Sequence, residues 1–167
     1  MLPGIKIFNL KKSVDERGFF CELLRNDWQE LLDNDTIIQT NLSMSHPQIV
    51  RAWHKHSRGQ VDYLMIVRGI TKICAFDDRK NSATSGYLDE IIADAEKPQL
   101  IKIPGFYWHG TMAISDDPSF TLYFVTKLYD YTNPDEERRP WNDPTIIPTT
   151  INGKKEDPRT CKPWKWI

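Results

Sequence analysis

The stretch "VRAWHKHSRGQVDYLMIVRG", Val50 to Gly69, sets two histidines, a glutamine and an aspartate ahead of an apolar, β-branched run that stops at a glycine. His54 and His56 are two residues apart, so on a strand they share a face. Two imidazoles converging there can bind a metal, move a proton, or form a hydrogen-bonded surface pair. The run Tyr63–Val67, closed by Arg68-Gly69, reads as a strand followed by a tight turn.

Outward from this stretch, short β-rich segments recur. Strands are expected near Ile5–Phe8, Phe19–Leu24, Ile37–Ser43, Ile49–His54, Tyr63–Val67, Thr71–Phe76, Leu88–Ile92, Leu100–Ile103, Trp108–Ala113 and Thr121–Leu128. Between them lie "DERG", "SHPQ", "RG", "NSATSG", "IPG" and "SDDPS", each with a residue that turns the chain. One segment, "NDWQELLDND", reads as a helix, with Asn26 or Asp27 as its cap and Trp28, Leu31 and Leu32 on one side. Many short, evenly spaced strands mean an all-β sandwich or barrel. From Pro134 onward the pattern changes: six of the eleven prolines lie there, without helical or strand period. Such an extension is too proline-rich for a central sheet and is expected to wrap the barrel.

The bulk numbers exclude several classes. The chain has 167 residues, 22 basic and 23 acidic, a formal charge of -1. That length suits one domain, read as N-terminal strands and helix over about 1–36, a barrel core over 37–130 and an extension over 131–167. The balance leaves no footprint for nucleic acid and no polybasic membrane anchor. The start, "MLPGIKIFNLKK", is too short and interrupted in its apolar part to read as a signal peptide, and no run reaches the roughly 18 apolar residues of a membrane span. Three widely spaced cysteines, Cys21, Cys74 and Cys161, do not suggest a disulfide framework. A cytoplasmic protein is the expectation.

A second stretch, "IPGFYWHGT" (Ile103–Thr111), places His109 just after a strand and a proline-glycine turn. Together the two stretches resemble the paired motifs of the cupin superfamily: His54, His56, Asp62 and Gly69 for the first, with a slightly long spacer, and His109 for the second. The resemblance implies a double-stranded β-helix, the jelly-roll barrel, which agrees with the strand series.

A closer resemblance runs through six ordered blocks: "DERGFFCE" (Asp15–Glu22), "QTNLSMS" (Gln39–Ser45), "VRAWH" (Val50–His54), "FDDRKNSATSG" (Phe76–Gly86), "YFVTKLY" (Tyr123–Tyr129) and "PWNDP" (Pro140–Pro144). By these the chain resembles the dTDP-4-dehydrorhamnose 3,5-epimerases. The resemblance implies a homodimer acting without a cofactor on a nucleotide-linked 4-keto-6-deoxy sugar. It assigns Arg17, Glu22, Gln39, Asn41, Arg51 and Gln60 to substrate binding, His54 as base and Tyr123 as opposing acid. His56 and His109 fall in the same pocket, and Asp157, in "KKEDPR", becomes the carboxylate that orients the base.

Those residue types suit the chemistry. A proton on carbon beside a ketone is acidic because the enolate is delocalised, so its removal needs a base with pKa near working pH, which histidine supplies. Donors or positive charge must meet the developing oxyanion. Inversion needs an acid on the other face, and arginine forks suit a pyrophosphate.

The chain departs from that family at one telling position. The family's usual lysine, two after the glutamine, is Asp62 here, following Gln60 and Val61. A unit charge at ~4 Å and an effective dielectric of ~20 is worth roughly 4 kcal/mol, so the reversal matters. His54, His56, Asp62 and His109 also form a complete cupin metal set, and the alternative reading is a divalent-metal cupin acting on another small molecule. Two further alternatives are a sugar 3,4-ketoisomerase and a catalytically silent nucleotide-sugar binder. Plainer readings also stand: Tyr123 as a core tyrosine, Asp62 as the partner of Arg58, Arg17 and Glu22 as surface residues, and Glu136–Arg139 as solvated charge.

Overall fold

A computed structural model describes residues 1–167. Its elements are β1 (Lys6–Asn9), β2 (Lys12–Asp15), β3 (Gly18–Cys21), α1 (Gln29–Leu32), β4 (Gln39–Ser45), β5 (Val50–Lys55), β6 (Val61–Arg68), β7 (Ile70–Phe76), β8 (Tyr87–Asp94), β9 (Gln99–Pro104), β10 (Trp108–Ala113), β11 (Ser119–Val125), β12 (Glu137–Arg138) and β13 (Thr150–Ile151). One sheet runs β1-β9-β6-β11-β4, a second runs β12-β5-β10-β7-β8-β13, and β2 and β3 make a separate hairpin. Every pairing is antiparallel except β13 on β8. No helix is long and apolar enough to cross a membrane.

Period-2 burial explains how the sheets stack. From β6, Leu64 and Ile66 point between the sheets with Ile73 and Ala75 of β7, Ile91 and Ala93 of β8, and Ile101 and Ile103 of β9. Their neighbours face outward: Tyr63 and Met65 join Leu31 and Leu32 of α1 and Leu100 under the helix. On the other sheet, Trp53, Cys74, Phe76 and Trp108 are covered by Ile146, Ile151, Trp164 and Trp166 of the C-terminal segment. Both sheets are thus buried on two faces over much of their length, which is why β6 reads as a continuous apolar run rather than an alternating one. Burying each such large side chain is worth roughly 1.5–3 kcal/mol.

Each strand segment expected from the sequence overlaps an observed strand. The strands β2, β12 and β13 carry no such signal, being short and polar or set among prolines. The helix is a single turn, and its boundary differs from the expectation. Trp28 occupies the cap position without a side-chain cap bond, because the Asp27 carboxylate is taken up by Arg25 at 2.8 and 2.7 Å. The proline-rich extension adds only short edge strands, β12 on β5, matching Arg138 to His54, and β13 on β8, and otherwise packs over the sheet.

Candidate functional site

The two sheets part at one end to leave a cavity of about 560 Å³. One wall is β4, β6 and β11, which bring Gln39, Asn41, Ser43, Asp62 and Tyr123 to it. The facing wall is β5 and β10, with Arg51, His54, His109 and Thr111. Residues 127–139 close a third side through Lys127, Tyr129, Asp135, Glu136, Arg138 and Arg139.

Two glycines make this arrangement possible. At Gly110 a Cβ would sit 2.2 Å from the Ala52 Cβ, so only glycine lets β10 close on β5 with His109 opposite His54. At Gly105 a Cβ would meet the Gln60 carbonyl at 2.2 Å and the His56 Cβ at 2.7 Å. Its backbone instead accepts from His56 N at 2.7 Å and donates to the Gln60 carbonyl at 3.0 Å, locking both residues into the pocket.

His56, Asp62 and His109 form a buried cluster. His56 Nδ1–H donates to the Asp135 carbonyl at 2.5 Å, and His109 Nδ1–H donates to the Tyr107 carbonyl at 3.0 Å. Both rings therefore turn Nε2 inward, to 3.5 Å and 3.2 Å from Asp62 Oδ2. Gln60 holds the other carboxylate oxygen, donating to Oδ1 at 2.7 Å. Burial alone would raise the Asp62 pKa, but His109 and His56 outweigh it and keep the group ionised. Burial works against the charged form of His56 as well, and Asp62 with Asp135 holds its pKa above the usual value.

His54 stands apart from this cluster. Its ring is edge-on to His109 at 6.2 Å between centroids, and its Nε2 faces Glu136 Oε1 at 3.6 Å. Burial, together with the neighbouring His109, pushes its pKa down to about 4, while Glu136 pulls the other way. The imidazole is consequently neutral at neutral pH and less basic than an ordinary histidine, and Glu136 is the group that opposes that loss of basicity. Tyr123, on the opposite wall, accepts a hydrogen bond from the Ser43 hydroxyl at 3.2 Å.

Other expected residues divide into two groups. Gln39, Asn41, Arg51 and Gln60 line the cavity. Gln39 donates to Asn41 Oδ1 at 2.8 Å, and Arg51 is braced by Ser45 Oγ and the Met44 carbonyl, each at 2.9 Å. Arg17 and Glu22 do not reach their own chain's cavity. Arg17 is exposed at the tip of the β2–β3 hairpin, paired with Asp15, and Glu22 pairs with Arg25. Asp157 is also elsewhere: it binds Arg159, which in turn binds Glu90 of β8, so it does not touch His54. The carboxylate that faces His54 is instead that of Glu136, 3.6 Å away. Asp62 does not pair with Arg58, whose guanidinium and amide go to Asp135 instead.

The sequence reading passes over Asp135, Glu136, Arg138, Arg139, Arg58 and Lys127 as pocket residues. The one available signal is the charge run after Asn133, and its partner strand is invisible in the linear chain. This side of the cavity is mixed in charge: Arg58 pairs with Asp135, Arg138 with Glu136 and Arg139 with Asp78, while Arg51 and Lys127 also line it. Trp108 fixes Arg139, whose guanidinium lies 4.1 Å from the indole centroid and bonds Asp78 at 2.8 Å.

Comparison with known proteins agrees with this geometry. The family model described as dTDP-4-dehydrorhamnose 3,5-epimerase matches residues 1–155. The chain is 40% identical to the probable low-salt glycan biosynthesis epimerase Agl13 of Haloferax volcanii, over 84% of this chain and 89% of that one. It is 36% identical to the spore coat polysaccharide biosynthesis protein SpsL of Bacillus subtilis, over 87% and 94%. Among solved structures it resembles the Legionella pneumophila dTDP-6-deoxy-D-glucose-3,5-epimerase in complex with dTDP-4-keto-L-rhamnose, with a TM-score of 0.78 and 26% identity over 93% of this chain and 86% of that one. A cupin-type barrel with a histidine and a tyrosine on facing walls, matched by one family model over almost its whole length, leads to a single assignment: the chain belongs to the dTDP-4-dehydrorhamnose 3,5-epimerase family.

Proposed function

We infer that this protein epimerises a dTDP-linked 4-keto-6-deoxy sugar by removing a proton from carbon beside the ketone and returning one to the opposite face. The observation that carries this reading is the placement of His54 on β5 and Tyr123 on β11, on opposing walls of one cavity. A sugar ring held between them presents one face to a neutral imidazole and the other to a phenol. The transfer needs no redox cofactor. Glu136, 3.6 Å from His54, steadies the imidazolium that forms when the base is protonated.

The remaining residues suit a nucleotide sugar. Arg51, Arg58, Lys127, Arg138 and Arg139 supply the cations for a pyrophosphate, and Gln39 and Asn41 supply amides for the sugar. Arg17 and Glu22 enter the reading through a homodimer. The hairpin that carries Arg17 exposes Val14, Phe19 and Phe20 at 75%, 64% and 68%, an apolar surface suited to a second copy. On this reading the hairpin of one protomer delivers Arg17 to the other's cavity, and the protein works in the cytoplasm as a one-domain enzyme. The test is thermal stabilisation by dTDP, expected for the wild type and largely lost in Arg51→Ala. If saturating dTDP, UDP and GDP all leave the melting temperature unchanged, the nucleotide-sugar reading is wrong.

A further inference from the structure

We propose that His56, Asp62 and His109 bind a divalent transition-metal ion of the Zn²⁺ or Fe²⁺ type, leaving His54 outside the site as a free base. His56, Asp62 and His109 each offer one donor atom, and these lie within 4.8 Å of one another. The two nitrogens stand 3.5 and 3.2 Å from the carboxylate oxygen. Bonds of about 2.0–2.2 Å in a tetrahedral shell separate neighbouring donors by roughly 3.4 Å, which the two nitrogen–oxygen separations already match. Two imidazoles and one carboxylate, with positions left open, is a donor set that such ions accept.

The surroundings are those of a ligand set rather than a chance cluster. Each imidazole has its Nδ1 proton fixed by a backbone carbonyl, Asp135 for His56 and Tyr107 for His109, which leaves Nε2 as the ring atom aimed inside, open to an ion once it has released its proton. Asp62 Oδ1 is fixed by Gln60, leaving Oδ2 free to point the same way. Gln60 Nε2 also lies 3.1 Å from His56 Nε2, a contact that the ion replaces. All three ligands are buried, with exposures of 7%, 5% and 5% for His56, Asp62 and His109.

This placement removes a conflict present in the sequence. A four-ligand set would have consumed His54, the residue best suited to take the sugar's proton. In the structure His54 Nε2 turns toward Glu136 instead, so base and metal ligands are separate groups in one cavity. When bound, the ion supplies positive charge where Asp62 brings negative charge, next to where an oxyanion develops. That catalytic use rests on the epimerase reading; ion binding itself does not.

The test uses the full-length protein, stripped with chelator and titrated with Zn²⁺ by calorimetry, with bound metal counted by emission spectrometry. One ion per chain is expected. Asp62→Asn and His109→Gln should each weaken binding roughly 100-fold or more, Gln60→Ala about 10-fold, and His54→Asn not at all. Circular dichroism without metal checks that each variant is folded. If a ligand variant is unfolded, the wild-type stoichiometry with the Gln60→Ala and His54→Asn affinities decides the matter. Failure of the wild type to bind one ion, retention of binding by folded Asp62→Asn and His109→Gln, or its loss in His54→Asn overturns the proposal. Stabilisation by dTDP is measured in parallel: loss of that effect with Zn²⁺ binding intact removes the nucleotide-sugar reading and leaves the metal site standing.

Discussion

His54 Nε2 lies 3.6 Å from Glu136 Oε1, so the imidazole on β5 faces a carboxylate just ahead of β12, more than eighty residues further along the chain. Arg138 holds that carboxylate at 3.0 and 3.2 Å. On the proposed reading the barrel supplies the base and the C-terminal extension the carboxylate that faces it. Glu136→Gln keeps the shape and removes the charge. It should lower kcat about 10-fold, within the range that general acid-base groups contribute, while the melting temperature stays close to the wild type's. Steady-state kinetics beside a melting curve checks this, and an unchanged kcat would leave Glu136 without a role at His54.

Asp157 gives the opposite expectation. Its carboxylate is bound by Arg159 at 2.9 Å on the β8 side of the molecule. Asp157→Asn should therefore leave turnover within about 2-fold of wild type, as for a surface substitution far from the site. A loss comparable to that of the Glu136 variant would mean that the extension moves to the cavity during the reaction.

These two residues also mark where the sequence was legible. Strand positions could be read because burial on both sheet faces leaves apolar runs, and turns because glycine and proline punctuate them. The histidines could be read because one strand and one turn fix them locally. Glu136 could not, since its neighbourhood depends on β12 pairing with β5, and a charge run looks the same whether solvated or lining a cavity. Asp157 misled for a related reason: its motif lies close to the aligned position, but the chain beyond Pro144 follows β8 through β13 instead of turning into the pocket. Arg17 and Glu22 were legible as motif residues, yet a single chain gives them no access to its own cavity.

That last point makes the dimer testable through the active site. Light scattering should report a homodimer. Arg17→Ala and His54→Asn homodimers should both be weak, and mixing them should restore activity, because the hybrid contains one site with Arg17 from one protomer and His54 from the other. No recovery on mixing, with exchange of subunits verified by mass spectrometry, would confine Arg17 to its own protomer.

Asp77 tests the scaffold. Its side chain is wholly buried and accepts from Arg79 at 2.8 and 2.9 Å, Ser82 at 2.6 Å and Thr84 at 2.7 Å. Burial alone would raise its pKa, but these donors hold it well below the ordinary carboxylate value. A depressed folded-state pKa contributes stability that is present above the unfolded value and lost as pH falls toward the folded one. Asp77→Asn should cost about 2–3 kcal/mol at neutral pH by leaving donors of the loop unmatched. The gap to wild type should narrow below the ordinary carboxylate value of 3.8. Denaturant titrations across that range measure it, and a pH-independent gap would count against the assignment.

The most direct test of the central claim is proton exchange at the carbon beside the ketone. Incubated in heavy water with a dTDP-4-keto-6-deoxy sugar, the wild type should place deuterium at C3 or C5, read by mass spectrometry and proton NMR. His54→Asn should lower that exchange at least ~100-fold while still binding dTDP. Exchange that survives in His54→Asn, or that is absent from a wild type which binds dTDP, would contradict the account.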